Sequence, residues 1–229
     1  MADNIARVFA AAIAPDPAQP LLTWYDDATG ERTELSGATL ANWVAKTANL
    51  LTDEVAAGPG ESAGALLPPH WQTAAVLLGC WSAGLVVADA PGAVEVLFAA
   101  ADRVGEADAW PAAERYALAL APFALPLREV PAGFADYVVA VRAHGDHFTP
   151  YAAGGPADAE LLGRAAARAA ELGLGRGDRV LLDVTAHPDP VDWLLAPLVA
   201  GASTVLCANA DPSRLPARAD AERVTRTLA

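Results

Sequence analysis

The chain has 229 residues, 54% of them hydrophobic, and a formal net charge of −13. That length allows one large domain or two lobes, and the negative charge repels a phosphate-coated partner, which argues against nucleic-acid binding. The N-terminus carries no basic run, and the most apolar stretch, 74–87, is broken by Gly79 and Gly84 and is too short to cross a bilayer. A soluble cytoplasmic protein without a membrane partner is therefore expected.

In chain order, Ile5, Val8, Phe9 and Ile13 recur at helical spacing behind Asp3, which is read as the cap. Leu21–Asp26 and Glu31–Leu35 read as strands of a hairpin around Asp27-Ala-Thr-Gly30. Ser36 is expected to cap a helix whose apolar face includes Leu40, Trp43, Val44, Leu51 and Val55. Ala63–Leu67 reads as a strand, Trp71–Ala83 as a buried helix and Leu85–Ala88 as a strand. Val94–Ala99 suits a buried strand, with helix as the alternative for so short an apolar run. Ala117–Leu120 is another strand expectation, followed by a segment punctuated by Pro122, Pro126 and Pro131. Phe134, Tyr137, Val138 and Val141 return to helical spacing and stop at Gly145. Asp158 is read as the cap of the next helix. Val180–Val184, Val191–Val199 and Ser203–Cys207 then read strand, helix, strand. This alternation predicts an α/β protein of mostly parallel sheets covered by helices.

Sliding the chain against itself by 117 residues gives a gapless match. Gly58-Pro-Gly60-Glu61 falls on Gly175-Arg-Gly177-Asp178, His70 on His187, Leu77-Leu78 on Leu194-Leu195, and Ala83-Gly84 on Ala200-Gly201. Seven of the twenty-seven positions from 58 to 84 are identical, which alone is weak in an Ala- and Leu-rich chain. The shared glycine spacing strengthens it, since each pair is suited to stopping a helix and turning the chain into a strand. Two related lobes are expected, 1–133 and 134–229, with 40–89 repeated at 157–206.

At these residues the sequence resembles the N-terminal region of the AMP-binding, adenylate-forming superfamily, which includes acyl-CoA synthetases. Leu35-Ser-Gly-Ala-Thr-Leu40, Ala48-Asn-Leu-Leu51, Gly58 through His70, Trp71 to Asp89 and Gly175 to Leu206 carry the likeness, and all are scaffold segments. More narrowly, the chain looks like a short, stand-alone actinobacterial family distantly related to these enzymes. The superfamily holds ATP phosphates with a loop like TSGTTGxPKG, whose amides, hydroxyls and lysine meet the anion. Here the matching place, between Phe148 and Leu161, reads Tyr151-Ala-Ala-Gly154-Gly155-Pro156, without a hydroxyl cluster or lysine. The superfamily's adenine- and ribose-binding motifs and its C-terminal domain lie past the matched stretch, which ends with the sequence at Ala229. Losing one preorganised donor typically costs about 10²–10³ in rate, so adenylation by this chain alone is not expected, and no cofactor is.

Other chemistry has few footholds. Cys80 and Cys207 read as buried free thiols, and no Cys/His metal spacing occurs. His144, Asp146 and His147 form a local cluster that a metal or a proton-transfer role would suit, against a plain helix end. His70 and His187 stand just past strands, where α/β proteins keep ligands. Asp183 and Asp189 flank His187 and are candidate carboxylate partners for it, against a plain polar loop residue at a strand exit. Gly154 and Gly155 remain as candidate ligand-binding positions. The leading expectation is a degenerate, non-catalytic adenylate-forming-like module that binds a small ligand or a protein partner. The alternatives are a small-molecule enzyme using His187 or the His144/Asp146 pair, and one part of a split acyl-activating ligase. Self-association through an uncovered apolar patch is a further expectation.

Overall fold

The computed structural model describes residues 4–151 and 154–228. Asp3, the expected first cap, lies outside them; Asn4 caps α1 (Ile5–Ile13), its side chain accepting the Arg7 N–H at 3.2 Å. The hairpin follows as β1 (Pro20–Asp26) and β2 (Glu31–Ser36), antiparallel. Next comes α2 (Gly37–Asn49), where Ser36 Oγ accepts the Thr39 N–H at 3.1 Å. A π-helical turn, Leu50–Glu54, prolongs α2. The chain continues through β3 (Ser62–Leu66), α3 (Trp71–Ser82), β4 (Val86–Val87) and β5 (Val94–Ala100). A 3-10 segment, Ala101–Ala109, leads to β6 (Ala112–Leu118), β7 (Ala135–Asp136) and α4 (Tyr137–Arg142). Then come α5 (Pro156–Glu171), β8 (Arg179–Asp183), a second π-helical turn Val191–Leu195, α6 (Ala196–Ala200), β9 (Ser203–Ala208), α7 (Leu215–Ala221) and β10 (Arg226–Leu228).

Two compact units result, residues 1–40 with 156–229, and residues 41–155. The expected division into 1–133 and 134–229 is thus corrected. β1 lies parallel to β9, with Leu22 opposite Thr204 and Trp24 opposite Leu206, so the N-terminal hairpin completes the sheet of the C-terminal residues. Local periodicity carries no trace of such long-range pairing. The first unit has the sheet order β10-β8-β9-β1-β2, parallel except for the hairpin. The second has the order β4-β3-β5-β6-β7, parallel throughout.

β5 is a strand, as burial on both faces requires: Val96 to Ala100 are all buried, which explains the unbroken apolar run. β6 begins five residues before the expected 117 because Glu114 and Arg115 disguise its start. It ends at Leu118, and Leu120 already has a left-handed φ of 51°. Asp158 is not a cap; α5 starts at Pro156, suited to a first turn that needs no N–H, and Asp158 sits inside that turn.

The stretches 117 residues apart share their backbone corner. Gly60 and Gly177 have φ of 90° and 84°, and Gly84 and Gly201 have 79° and 72°. The Gly60 N–H donates to the Gly84 carbonyl at 3.0 Å, and the Gly177 N–H to the Gly201 carbonyl at 3.0 Å. Ser62 stands opposite Val86 in parallel register, as Arg179 stands opposite Ser203. β3 and β8 therefore occupy the same place in their sheets, each with neighbours reached by crossovers in opposite directions.

The second unit's core holds Phe98 stacked on Tyr116, ring centroids 5.6 Å apart, and edge-on to Tyr137 at 5.9 Å. In the first unit, Leu181, Val205 and Cys207 form a cluster against which Leu215 and Ala219 of α7 pack.

Candidate functional site

The exits of β3 and β8 are the switch points of their sheets, where parallel α/β proteins tend to hold ligands. Past β8 the chain turns, with the His187 N–H donating to the Asp183 carbonyl at 3.1 Å. The His187 ring pairs with neither Asp183 nor Asp189, the two candidates that the sequence offered. Asp183 Oδ1 accepts the Thr185 N–H, while Asp189 accepts the Val191 N–H and pairs with Arg164. The partner is Asp192, whose Oδ2 lies 3.3 Å from His187 Nδ1. Arg168 Nε donates to the other oxygen at 2.7 Å. Burial works against ionising Asp192, but hydrogen bonds from Arg168 and His187 outweigh it and lower its pKa. The carboxylate fixes the imidazole and leaves Nε2 as the free nitrogen, an arrangement able to move a proton. Asp192 sits on the second π-helical turn, and such turns recur at functional sites. Its spacing of five residues from His187 gives no helical or strand signal, so sequence reasoning missed it.

His70, at the equivalent exit, does something else. It is 2% exposed, and its Nδ1 accepts the Gln72 N–H at 3.1 Å, capping α3. The imidazole serves where Ser or Asp would normally stand. Every residue of α3 is buried, Gln72 included, and neither amide atom of Gln72 has a hydrogen-bond partner among the described residues.

The His144, Asp146 and His147 cluster does not converge. His144 Nε2 faces Glu54 Oε2 at 3.2 Å, Glu54 Oε1 accepts the Tyr116 hydroxyl at 3.2 Å, and Asp146 and His147 are exposed. Lys46 Nζ donates to the His144 carbonyl at 2.6 Å, and Asn49 Nδ2 donates to the carbonyls of Gly145 and His147. These bonds tie the loop to α2. Among the described residues no three His, Cys, Asp or Glu side chains come together to hold a metal. Cys80 and Cys207 are buried and unpaired; burial pushes the Cys80 thiol up to about 12 and raises that of Cys207.

Gly154 and Gly155 stand directly before α5, partly or fully exposed. Behind them Asp158, 9% exposed, accepts the first N–H of α1, that of Ile5, at 3.4 Å. The carboxylate thus occupies the positive end of α1.

A network that sequence reasoning did not find covers one face of the first unit's sheet. Glu222 accepts the Tyr25 hydroxyl at 2.6 Å, Arg32 at 2.8 Å and Arg179 at 2.5 Å. Its burial opposes ionisation, yet Tyr25, Arg179 and Arg32 hold its pKa at about 2. Asp27 is held at about 2, chiefly by Arg218, which donates to it at 2.6 Å and lies over the Tyr25 ring. In the second unit an open cavity of about 660 Å³ lies at the exits of β3 and β4, lined by Leu66, Ala88, Asp89, Arg103, Glu106 and Trp110 among others. Among the described residues no helix is long and apolar enough to cross a membrane.

Comparison with solved structures places this architecture. An acyl-CoA synthetase from Brucella canis superposes with a TM-score of 0.75 at 18% identity, over 98% of this chain and 46% of that one. The anthranilate CoA ligase AuaEII, solved with anthranoyl-AMP, gives 0.73 at 13% identity, over 98% and 49%. The N-terminal domain of FACL13 from Mycobacterium tuberculosis gives 0.69 at 15%, over 100% and 63%. The fold is that of the N-terminal part of adenylate-forming enzymes, and the chain spans about half the length of these structures. No protein-family model matches it. A protein of Mycobacterium tuberculosis (strain ATCC 25618 / H37Rv), described as a TIGR03089 family protein, is 50% identical over 227 residues, covering 93% of each chain. At half identity across nearly the whole of both sequences, the chain belongs to the TIGR03089 family.

Proposed function

We propose that this chain is a non-catalytic binding or interaction module built on the adenylate-forming fold. The observation that carries the reading is the segment entering α5. Where the resemblance calls for a phosphate loop, the chain has Tyr151, Gly154, Gly155 and Pro156, and then the buried carboxylate of Asp158. A phosphate charge brought within ~4 Å of that carboxylate meets a repulsion of about 4 kcal/mol at an effective dielectric of 20. That alone weakens binding about a thousandfold, before the loss of hydroxyls and a lysine is counted. The test is ATP–pyrophosphate exchange by the purified chain with a panel of carboxylic acids, beside calorimetry with Mg·ATP. The module reading expects no exchange above blank and no saturable heat; robust exchange overturns it.

A second reading, a small-molecule enzyme, is favoured by one observation: the Arg168-anchored Asp192 facing His187 at a sheet switch point. It expects hydrolysis of p-nitrophenyl esters faster than free imidazole at equal concentration, lost in His187→Gln. A rate equal to imidazole removes it.

A further inference from the structure

The two repeats differ at one corner in a way their shared backbone does not require. In the second unit, Pro59 packs against Gly84, where an added Cβ would lie 3.1 Å from the Pro59 Cα and Cγ. The position 117 residues on is Arg176, whose side chain folds back over Gly201, with Cγ and Cζ 3.7 and 3.8 Å from the place of a Cβ there. An uncharged ring therefore satisfies the same turn in one copy, so the guanidinium of the other is not needed for folding.

Arg176 also lacks a partner among the described residues. Among the described residues its guanidinium makes no ion pair or hydrogen bond, whereas Arg32, Arg168, Arg179 and Arg218 of the same unit each hold a carboxylate. It lies at the join of two open cavities of about 240 and 330 Å³. The smaller is an apolar groove between α1, α5 and α6, hollowed by Ala11, Ala12, Ala166 and Gly201 and walled by Leu162 and Leu198. The larger is more polar and includes Asp16 and Asp178. Asp16 accepts the Ala18 N–H and the Gln19 amide, and Asp178 accepts the Gly175 N–H and the Thr225 hydroxyl. These acids discourage a second negative charge beyond Arg176.

We infer that this groove binds a slender amphiphile with one anionic head, its chain between α1, α5 and α6 and its head on Arg176. The inference is independent of whether the chain adenylates, because none of the described residues of 148–155 lines the groove. Apolar contact without polar partners suits an unbranched chain, and a planar guanidinium suits a carboxylate, sulfate or phosphate monoester.

Calorimetry below the micelle threshold tests it, with octyl sulfate, octanoate and octyl phosphate against octyl glucoside and octyltrimethylammonium. The three anions are expected to bind and the neutral and cationic probes not to; their order identifies the preferred head. Each methylene from hexyl to octyl sulfate should tighten binding about fourfold until the groove is full. Arg176→Gln, at an exposed position, should weaken the anions by about tenfold or more. Ala166→Leu should abolish binding by filling the groove, both variants keeping the parent melting temperature. Equal binding of octyl glucoside, or anion binding unmoved by either substitution, overturns the inference.

Discussion

The two copies of the helix–corner–strand–helix–strand segment show which parts of such a unit are fixed and which are free. Their left-handed glycines, corner hydrogen bonds and strand registers coincide across the 117-residue offset. What hangs on that backbone diverges. In one copy the strand-exit histidine is a buried helix cap; in the other it is a partly exposed imidazole facing a carboxylate. The units also close their cores differently, the second with stacked aromatics and the first with a charged lattice under α7. The backbone solution is generic, and chemistry can change on it at little folding cost.

The charged lattice gives the largest expected effect. Glu222 and Asp27 titrate near 2 when folded, below the ordinary carboxylate range. Their stabilisation is therefore complete above the unfolded values and disappears as pH falls from about 4.5 to 2. Glu222→Gln should lower stability at pH 7 by about 3 kcal/mol and flatten that acid limb, as read by urea unfolding at several pH values. A limb unchanged in the variant would remove Glu222 as its source.

Second comes the packing at Gly79. A Cβ there would lie 2.6 Å from the Thr47 Cβ, on a side chain tied to Tyr137 and to the Trp43 carbonyl. Gly79→Ala should cost about 2 kcal/mol. The matching position is Ala196, already a buried Cβ, and there the reverse change, Ala196→Gly, should cost about 1 kcal/mol. Stabilisation by Gly79→Ala in chemical denaturation would show that the two helices pack alike.

Third, Gly60→Ala and Gly177→Ala should each cost about 1–2 kcal/mol, because both occupy left-handed backbone. Unequal losses in melting experiments would mean that the corners are less alike than their hydrogen bonds. Smallest is the histidine contrast. His70→Ala should cost about 1.5 kcal/mol through the lost cap, and His187→Ala about 0.5 kcal/mol through a partly exposed pair. A reversed order would break the contrast between cap and site.

Most of the fold was legible in sequence because it rests on local signals: the hairpin turn at Asp27–Gly30, the Ser36 cap and the glycine corners. What sequence hid was long-range or masked by charge. The pairing of β1 with β9 joins residues about 180 positions apart, the start of β6 is polar, and α7 and β10 lack an apolar rhythm. The site was less legible. His187 and His144 stood out as residue types, but their partners, Asp192 and Glu54, lie on π-helical turns whose spacing no standard period reveals. Arg176 looked like part of a helix stop until its groove was visible.

Lys46 carries the only side-chain amine in the sequence, and that amine is held against the His144 carbonyl. Acetyl transfer, isopeptide tagging or aldehyde crosslinking directed at lysine all converge on that one contact. Neutralising it removes a charge-assisted hydrogen bond and slackens the connection that carries both His144 and His147. The labelling rate of a single amine thus reports how tightly one loop is tethered to its helix.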